Sequence, residues 1–259
     1  MNATAARLTA LGRAELTLLS RNRNNLFVAV LMPVLMIGLL RTSLAGMDDG
    51  NLPMGIAEAT AVGGTGMVLV LVVYMNLVAT YVARREELVL KRLRTGEARD
   101  TEILAGGALP AAVIALVQCA LLTALGPAAL GATAPHRPDL LFLGVLGAIV
   151  MLAALAAVTT VITRTVESAG LTTLPFFLIS AWGSGLMMPV DSLPDPIATV
   201  CSMLPLSGVM EFVRAGWLGV GAPGAAGGTE LLGAGITTVA WIVLSVFAVQ
   251  KWFRWEPRR

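Results

Sequence analysis

The stretch Arg84–Glu102, RREELVLKRLRTGEARDTE, is the most densely charged segment of a chain in which only 13% of residues are charged. Long apolar runs stand on both sides of it. Because charged side chains are not left in hydrocarbon, we expect this segment to lie in water between two membrane-spanning helices. Its six basic residues predict that it lies on the cytoplasmic side. It is then the largest surface that the chain offers to a soluble cytoplasmic partner.

The composition predicts an integral membrane protein built from α-helices. Of the 259 residues, 56% are hydrophobic, and the mean hydropathy is +0.80. A water-soluble domain of this composition would expose far more apolar surface than water tolerates. Arginine outnumbers lysine sixteen to two, a bias typical of bacterial genomes rich in G and C.

The apolar runs predict six transmembrane helices, at about residues 26–44, 61–83, 103–130, 140–163, 169–190 and 231–250. In this arrangement, fifteen of the eighteen basic residues fall on the same side as the charged stretch. That asymmetry predicts a multi-pass protein with both termini in the cytoplasm. An alternative, in which the first run is a cleaved secretory signal, stays open, although five further spans need no removable signal.

Residues 1–25 predict a cytoplasmic amphipathic helix that connects to the transmembrane domain, residues 26–259. Leucines recur on one face of this helix, at Leu8, Leu11 and Leu18. Arginines lie on the opposite face, at Arg13 and Arg21. The alternative for this segment is a disordered tail.

The segment between the fifth and sixth spans, residues 191–230, includes an apolar piece that could be mistaken for a seventh span. Pro205 interrupts it, and Glu211 and Arg214 would each cost about 2.5 to 3.5 kcal/mol at the centre of a bilayer. An odd number of spans would also place the basic C-terminal tail outside. We therefore expect two short re-entrant helices on the external side, with Glu211 and Arg214 paired on one helical face.

Several kinds of chemistry are missing from the sequence. The two lysines, Lys91 and Lys251, do not follow a glycine, so there is no phosphate-binding loop of the GxxxxGK type. The single histidine, His136, cannot supply a zinc site or a histidine-dependent triad. Two cysteines, Cys119 and Cys201, are too few for a disulfide framework. We therefore expect no enzyme activity, no bound metal or cofactor and no nucleic-acid partner.

The order of these features resembles the membrane subunits of ABC-2 type ABC transporters, as found in bacterial drug, antibiotic and polysaccharide exporters. The resemblance covers nearly the whole chain. It rests on an amphipathic N-terminal segment, on Arg85-Glu86-Glu87 and Leu90-Lys91-Arg92-Leu93-Arg94 after the second span, and on Leu204-Pro205 with Glu211–Arg214 before the sixth. Where the family usually shows a proline soon after the KRLR element, this chain has Thr95-Gly96-Glu97.

The resemblance implies a permease in the bacterial cell membrane that works as a dimer with a second copy or a paralogue. It also implies separate ATPase subunits, which bind ATP and magnesium and dock on residues 84–102. A stiff charged helix here would transmit their motion to the second and third spans. A merely solvated loop would not need the interleaved Leu88, Val89, Leu90 and Leu93. The residues expected to carry ATPase coupling are Arg84, Arg85, Glu86, Glu87, Leu90, Lys91, Arg92 and Arg94.

Neutral groups in the second and fifth spans are our candidates for the substrate pathway at the dimer axis: Tyr74, Asn76, Phe176, Phe177 and Ser180. The other interpretation of each is helix packing or hydrogen bonding between helices. Neutral span surfaces favour a hydrophobic or amphipathic cargo. A non-transporting membrane scaffold or regulatory subunit is an alternative function. A self-sufficient channel or secondary transporter is disfavoured, because the spans lack charged groups.

Overall fold

The computed structural model describes residues 17, 23–46, 54–95, 99–186, 194–253 and 255. All the regular elements in this part of the chain are helices, which confirms the all-α prediction. We number them α1 Arg23–Ala45, α2 Ile56–Glu86, α3 Val89–Arg94, α4 Asp100–Leu130, α5 Pro138–Thr159, α6 Val166–Gly183, α7 Asp195–Ser202, α8 Pro205–Leu218 and α9 Gly228–Trp252. The amphipathic helix predicted for residues 1–25 lies outside the described residues, apart from Thr17 and the start of α1.

Four helices, α2, α4, α5 and α9, are long and apolar enough to cross a membrane, which makes the chain a multi-pass membrane protein. The pair α7 and α8, bent by 85°, would add a fifth span if it were counted as one. Helices α1 and α6 occupy the positions of the first and fifth predicted spans. Within α1, Leu31–Ala45 is apolar. The count of six spans therefore stays a prediction.

Two helices end before the predicted ends of their spans. The fourth span was expected to reach residue 163, but α5 ends at Thr159. The carbonyls that follow are bound instead by the Arg85 guanidinium. The fifth span was expected to reach residue 190, but α6 ends at Gly183, and Gly185 adopts a left-handed φ of +72° that ends the helical path.

Helix α2 is the centre of the bundle. Of the most apolar 18 residues of α2, 67% are buried, whereas the corresponding shares are 28% for α4 and 17% for α9. Three glycines in its first half, Gly63, Gly64 and Gly66, leave room for side chains of α1, α4 and α8 and for Leu186. Farther along, Leu69–Met75 is a π-helical segment, a wider turn that is frequent at functional sites.

Contacts between helix ends define one end of the bundle. At the end of α1, Arg41 donates a hydrogen bond to Ala129 O of α4 (3.1 Å). At the start of α2, Glu58 accepts one from Thr133 N, which follows α4 (3.0 Å). The α8 C-terminus reaches the same end, because Arg137 N donates to Gly216 O (2.9 Å). By the charge asymmetry of the sequence, this is the predicted external end.

Helices α7 and α8 meet at a corner around Met203, which is exposed. Trp241 Nε1 donates to Met203 O at that corner (2.9 Å). Trp241 lies thirteen residues beyond Gly228, the first residue of α9. At 1.5 Å per residue, the corner is therefore about 20 Å along α9 from the predicted external end. Helix α8 runs from this depth back to that end, packed between α5 and α9.

Candidate coupling surface

The charged stretch 84–102 is not the single stiff helix that the sequence predicted. Helix α2 continues to Glu86, the chain turns at Leu88, and α3 spans only Val89–Arg94. Leu88 has a φ of +59°, the one non-glycine residue with positive φ in the described part of the chain. A left-handed conformation costs an L-residue about 1 to 2 kcal/mol, so the neighbouring contacts must hold it. One of these contacts is the hydrogen bond from Leu88 N to Arg85 O (3.1 Å).

Five side chains form an exposed patch around this turn, which we call the coupling surface: Glu86, Glu87, Leu88, Lys91 and Arg92. Arg84, half-buried, lies beside the patch, with its Nη1 3.9 Å from Glu87 Oε2. An ion pair so exposed contributes little to stability, so the carboxylate stays available to a partner.

The four interleaved apolar residues do not form the exposed contact patch that the sequence suggested. Leu90 is only 3% exposed and belongs to the interior, while Val89 and Leu93 are half-buried. Leu88, 39% exposed, is the one apolar side chain of the four that a docked protein could cover extensively. Leu90 and Leu93 are three residues apart and lie on one helical face, which packs α3 against the bundle.

Arg85 points into the bundle and is only 1% exposed. Its Nη1 donates to Thr160 O (2.7 Å) and its Nη2 to Thr163 O (2.6 Å), at the end of α5. It is therefore not available to a soluble partner in this conformation, although the sequence grouped it with the coupling residues. Adjacent residues of a helix point about 100° apart, a signal that Arg84 and Arg85 would not face the same surroundings.

Arg94 is engaged by the C-terminal segment. Its Nε lies 3.2 Å from Asp100 Oδ1, and its guanidinium carbon lies 4.9 Å from the centre of the Trp255 ring. Trp255 in turn packs edge-on against Phe253, with ring centres 4.9 Å apart. The tail was predicted only to be basic, although its interleaved aromatic residues were a signal that it would pack on a cation.

The structure brings together only some of the predicted pathway residues, and it does so inside the chain. Tyr74, 2% exposed, places its hydroxyl 2.9 Å from Thr159 Oγ1. Its ring lies 4.3 Å from that of Phe176, measured between centres. Ser180 is also buried, whereas Asn76 and Phe177 keep part of their surface exposed. In this conformation, Tyr74 and Ser180 therefore have little surface to offer a substrate.

Glu211 and Arg214 form an ion pair on one face of α8, with their side chains 31% and 8% exposed. Arg214 Nη1 also lies 3.5 Å from Ser184 O, just beyond α6. Nearby, Ser207 Oγ donates to Cys201 O (2.6 Å) and lies 3.2 Å from Ser184 Oγ. The ion pair thus belongs to a polar cluster that joins the end of α6 to α8.

No group of His, Cys, Asp and Glu side chains in the described ranges could hold a metal ion. Within the same ranges, Cys119 and Cys201 are both free and buried. The functional features of this part of the chain are therefore the coupling surface, the bundle interior and the half-buried Glu211–Arg214 ion pair.

These features belong to a multi-pass membrane protein. Residues 41–247 match the family model described as ABC-2 family transporter protein. The match covers most of the chain, including the coupling surface and the polar cluster, so the chain belongs to this family and is a transporter permease. Membership implies, in general terms, that the permease works with an ATPase subunit. A search of curated proteins found no match to the chain.

Proposed function

We propose that the chain is the membrane subunit of an ATP-driven exporter in the bacterial cell membrane, driven by separate ATPase subunits that bind ATP and magnesium. The observation that carries this proposal is the coupling surface. It is charged and exposed, and only the turn at Leu88 separates α3 from α2, the most buried of the four long apolar helices. A partner that shifts α3 would therefore displace the helix that contacts most of the others.

The proposed topology has six spans, α1, α2, α4, α5, α6 and α9, with α7 and α8 re-entering from outside. The contacts at the predicted external end support it, because they join Arg41, Glu58 and Arg137 to neighbouring helix ends. Arg85 and the α5–α6 turn lie at the opposite end of α2, next to the basic stretch. Both termini are then cytoplasmic.

Cysteine labelling checks this topology. In a chain whose Cys119 and Cys201 are replaced by alanine, single cysteines at Asn2 and Arg258 should react only with a membrane-permeant reagent. A cysteine at Thr133, exposed in the α4–α5 loop, should react with an impermeant reagent in intact cells. Labelling of position 2 or 258 from outside would contradict the topology.

The working unit that we propose is a dimer with a second copy or a paralogue. Support comes from α4 and α9. Most of their apolar residues are not buried within one chain, so these helices have surface left for lipid and for a second subunit. The pathway lies at the dimer axis, where Asn76, Phe176 and Phe177 are the candidates that retain exposure. The neutral surfaces of the helices favour a hydrophobic or amphipathic substrate.

Reversal of two charges on the coupling surface tests the docking. The double variant Glu86→Lys and Glu87→Lys should insert normally, because added positive charge on the cytoplasmic side reinforces the topology. It should bind the ATPase subunit about thirtyfold more weakly or worse, since loss of a charge in a hydrogen-bonded interface costs about 2 to 5 kcal/mol. The measurement is the amount of ATPase that co-purifies, expected at one to one with the parent permease.

The matched control is Glu167→Lys, the same reversal at an exposed residue of the predicted cytoplasmic end but outside the coupling surface. It should co-purify the ATPase at the parental level. Parental binding by the double variant would show that docking uses another surface. A complex that forms normally, but whose ATP hydrolysis never responds to any transported compound, would favour the scaffold alternative.

A further inference from the structure

Arg85 is a cation whose side chain is buried in the last turn of α2. Besides its bonds to Thr160 O and Thr163 O, its Nη2 lies 3.4 Å from Arg164 O. All three acceptors are main-chain carbonyls at the end of α5 or in the turn that leads to α6. The side chain of one helix thus occupies the C-terminal end of another.

The chemistry of this contact is specific to arginine. The last carbonyls of a helix lack partners within the helix and form the negative end of its dipole. A guanidinium offers several donors in a fixed planar fork, so it can bind two carbonyls at once. A lysine ammonium is a compact point charge, and such an ion satisfies this pair of acceptors less well. Hydrogen bonds with a charged donor are also about twice as strong as neutral ones.

The turn that Arg85 holds is itself joined to α6. Thr163 Oγ1 lies 2.8 Å from Thr172 Oγ1, in the second turn of α6. Thr165 and Ser168 form reciprocal capping bonds at the α6 N-terminus. Displacement of the turn would therefore carry the beginning of α6 with it.

A second contact joins the same three helices farther from the coupling surface. Tyr74 of α2 contacts Thr159 of α5 and Phe176 of α6. Tyr74 lies eleven residues before Arg85, a rise of about 16 Å along the helix. On α5 the two contacts lie at adjacent residues, Thr159 and Thr160, so Tyr74 and Arg85 together hold the C-terminal end of α5 against the second half of α2.

We infer that Arg85 is the positioning residue that passes movement of the coupling surface into the α5–α6 turn. The sequence predicted that a docked ATPase would move the second and third spans, α2 and α4. With Arg85 in place, α5 and α6 move with α2 as one unit. This inference rests on the proposed function, but the contact that it assigns can be measured without any partner.

The first arm of the experiment is hydrogen exchange on the purified permease alone. Arg85→Gln should raise amide exchange in residues 160–168 about tenfold or more, because the turn loses the charged donor that binds its carbonyls. Exchange at the opposite end, in residues 133–141, should not change. The control is Arg164→Gln, which removes an exposed charge at the same turn and leaves the Arg164 carbonyl in place.

The second arm repeats the measurement on the complex with the ATPase, with and without ATP and vanadate. In the parent, both the α3–α4 region, residues 99–106, and the α5–α6 turn should change their exchange when nucleotide is trapped. In Arg85→Gln, the exchange of residues 99–106 should still change when nucleotide is trapped. The change in exchange of residues 160–168 should be at least fivefold smaller than in the parent, because fivefold is the smallest effect usual for coupled sites. Arg85→Lys should show the same loss while it keeps the charge and the topology.

The outcomes separate the two proposals. If the parent binds no ATPase, or if nucleotide changes exchange nowhere, the proposed function fails while the first arm still judges the Arg85 contact. If Arg85→Gln exchanges like the parent, the contact does not hold the turn and the inference is overturned. It is also overturned if the turn of the variant still responds fully to nucleotide, because Arg85 would then be structural only.

Discussion

Gly208→Ala is expected to remove most of the folded protein from the membrane, whereas Gly233→Ala in α9 should leave its amount unchanged. A Cβ atom at Gly208 would lie 2.6 Å from both Ala234 O and Thr238 Oγ1 of α9. The Ala234 carbonyl belongs to the main chain and cannot rotate away, so α8 would have to move from its packed position between α5 and α9. Overpacking of this kind costs about 1 to 3 kcal/mol and occasionally more.

The measurement is the melting temperature of the detergent-solubilised protein, together with its abundance in the membrane. Gly233 is the matched control, because a Cβ there meets nothing within 4 Å and alanine favours a helix. Gly216→Ala should behave like Gly208→Ala, since its Cβ would lie 2.5 Å from Leu141 N. A parental melting temperature for both α8 variants would show that α8 is not held as tightly as the structure indicates.

Glu211→Leu should destabilise the protein more than the double variant Glu211→Leu with Arg214→Leu. The single change leaves the Arg214 cation, 8% exposed at its side chain, without its carboxylate. Removal of one partner of a fully buried pair costs about 3 to 5 kcal/mol, and less is expected here because the Glu211 side chain is 31% exposed, whereas replacing both partners with apolar residues is often neutral. The second substitution should therefore restore stability that the first removed.

Melting temperatures of the parent, the two single variants and the double variant form a complete cycle. The expected order places the double variant above Glu211→Leu. Additive losses would mean that the ion pair contributes no coupling. If the two single variants match the parent in melting temperature but lose transport, the ion pair would act on the substrate and not on the position of α8.

Local properties of the sequence predicted much of the fold. Hydropathy located a helix at each of the six expected positions, and spacing by three residues placed Glu211 and Arg214 on one face. The charged stretch was found because its composition differs from that of its flanks. Each of these inferences uses neighbours in the sequence, which the helical period relates directly to neighbours in space.

The features that escaped prediction depend on residues distant in sequence. The direction of Arg85 is set by carbonyls more than seventy residues away. Its neighbour Arg84 has the same side chain but lies partly in solvent. The break at Leu88 has no glycine or proline to announce it. Likewise Tyr74 was assigned to the pathway because its residue type suits that role, while its partners on α5 and α6 bury it.

Site-specific photo-crosslinking tests the central claim most directly, namely that an ATPase subunit docks on the coupling surface. A benzophenone amino acid in place of Arg92, exposed on α3, is irradiated in native membranes, and the adduct is identified by mass spectrometry. We expect an adduct with a protein that carries a phosphate-binding loop, and no such adduct from the same probe at Thr133. If position 92 gives no ATPase adduct while the ATPase co-purifies with the permease, the coupling surface is not the docking site.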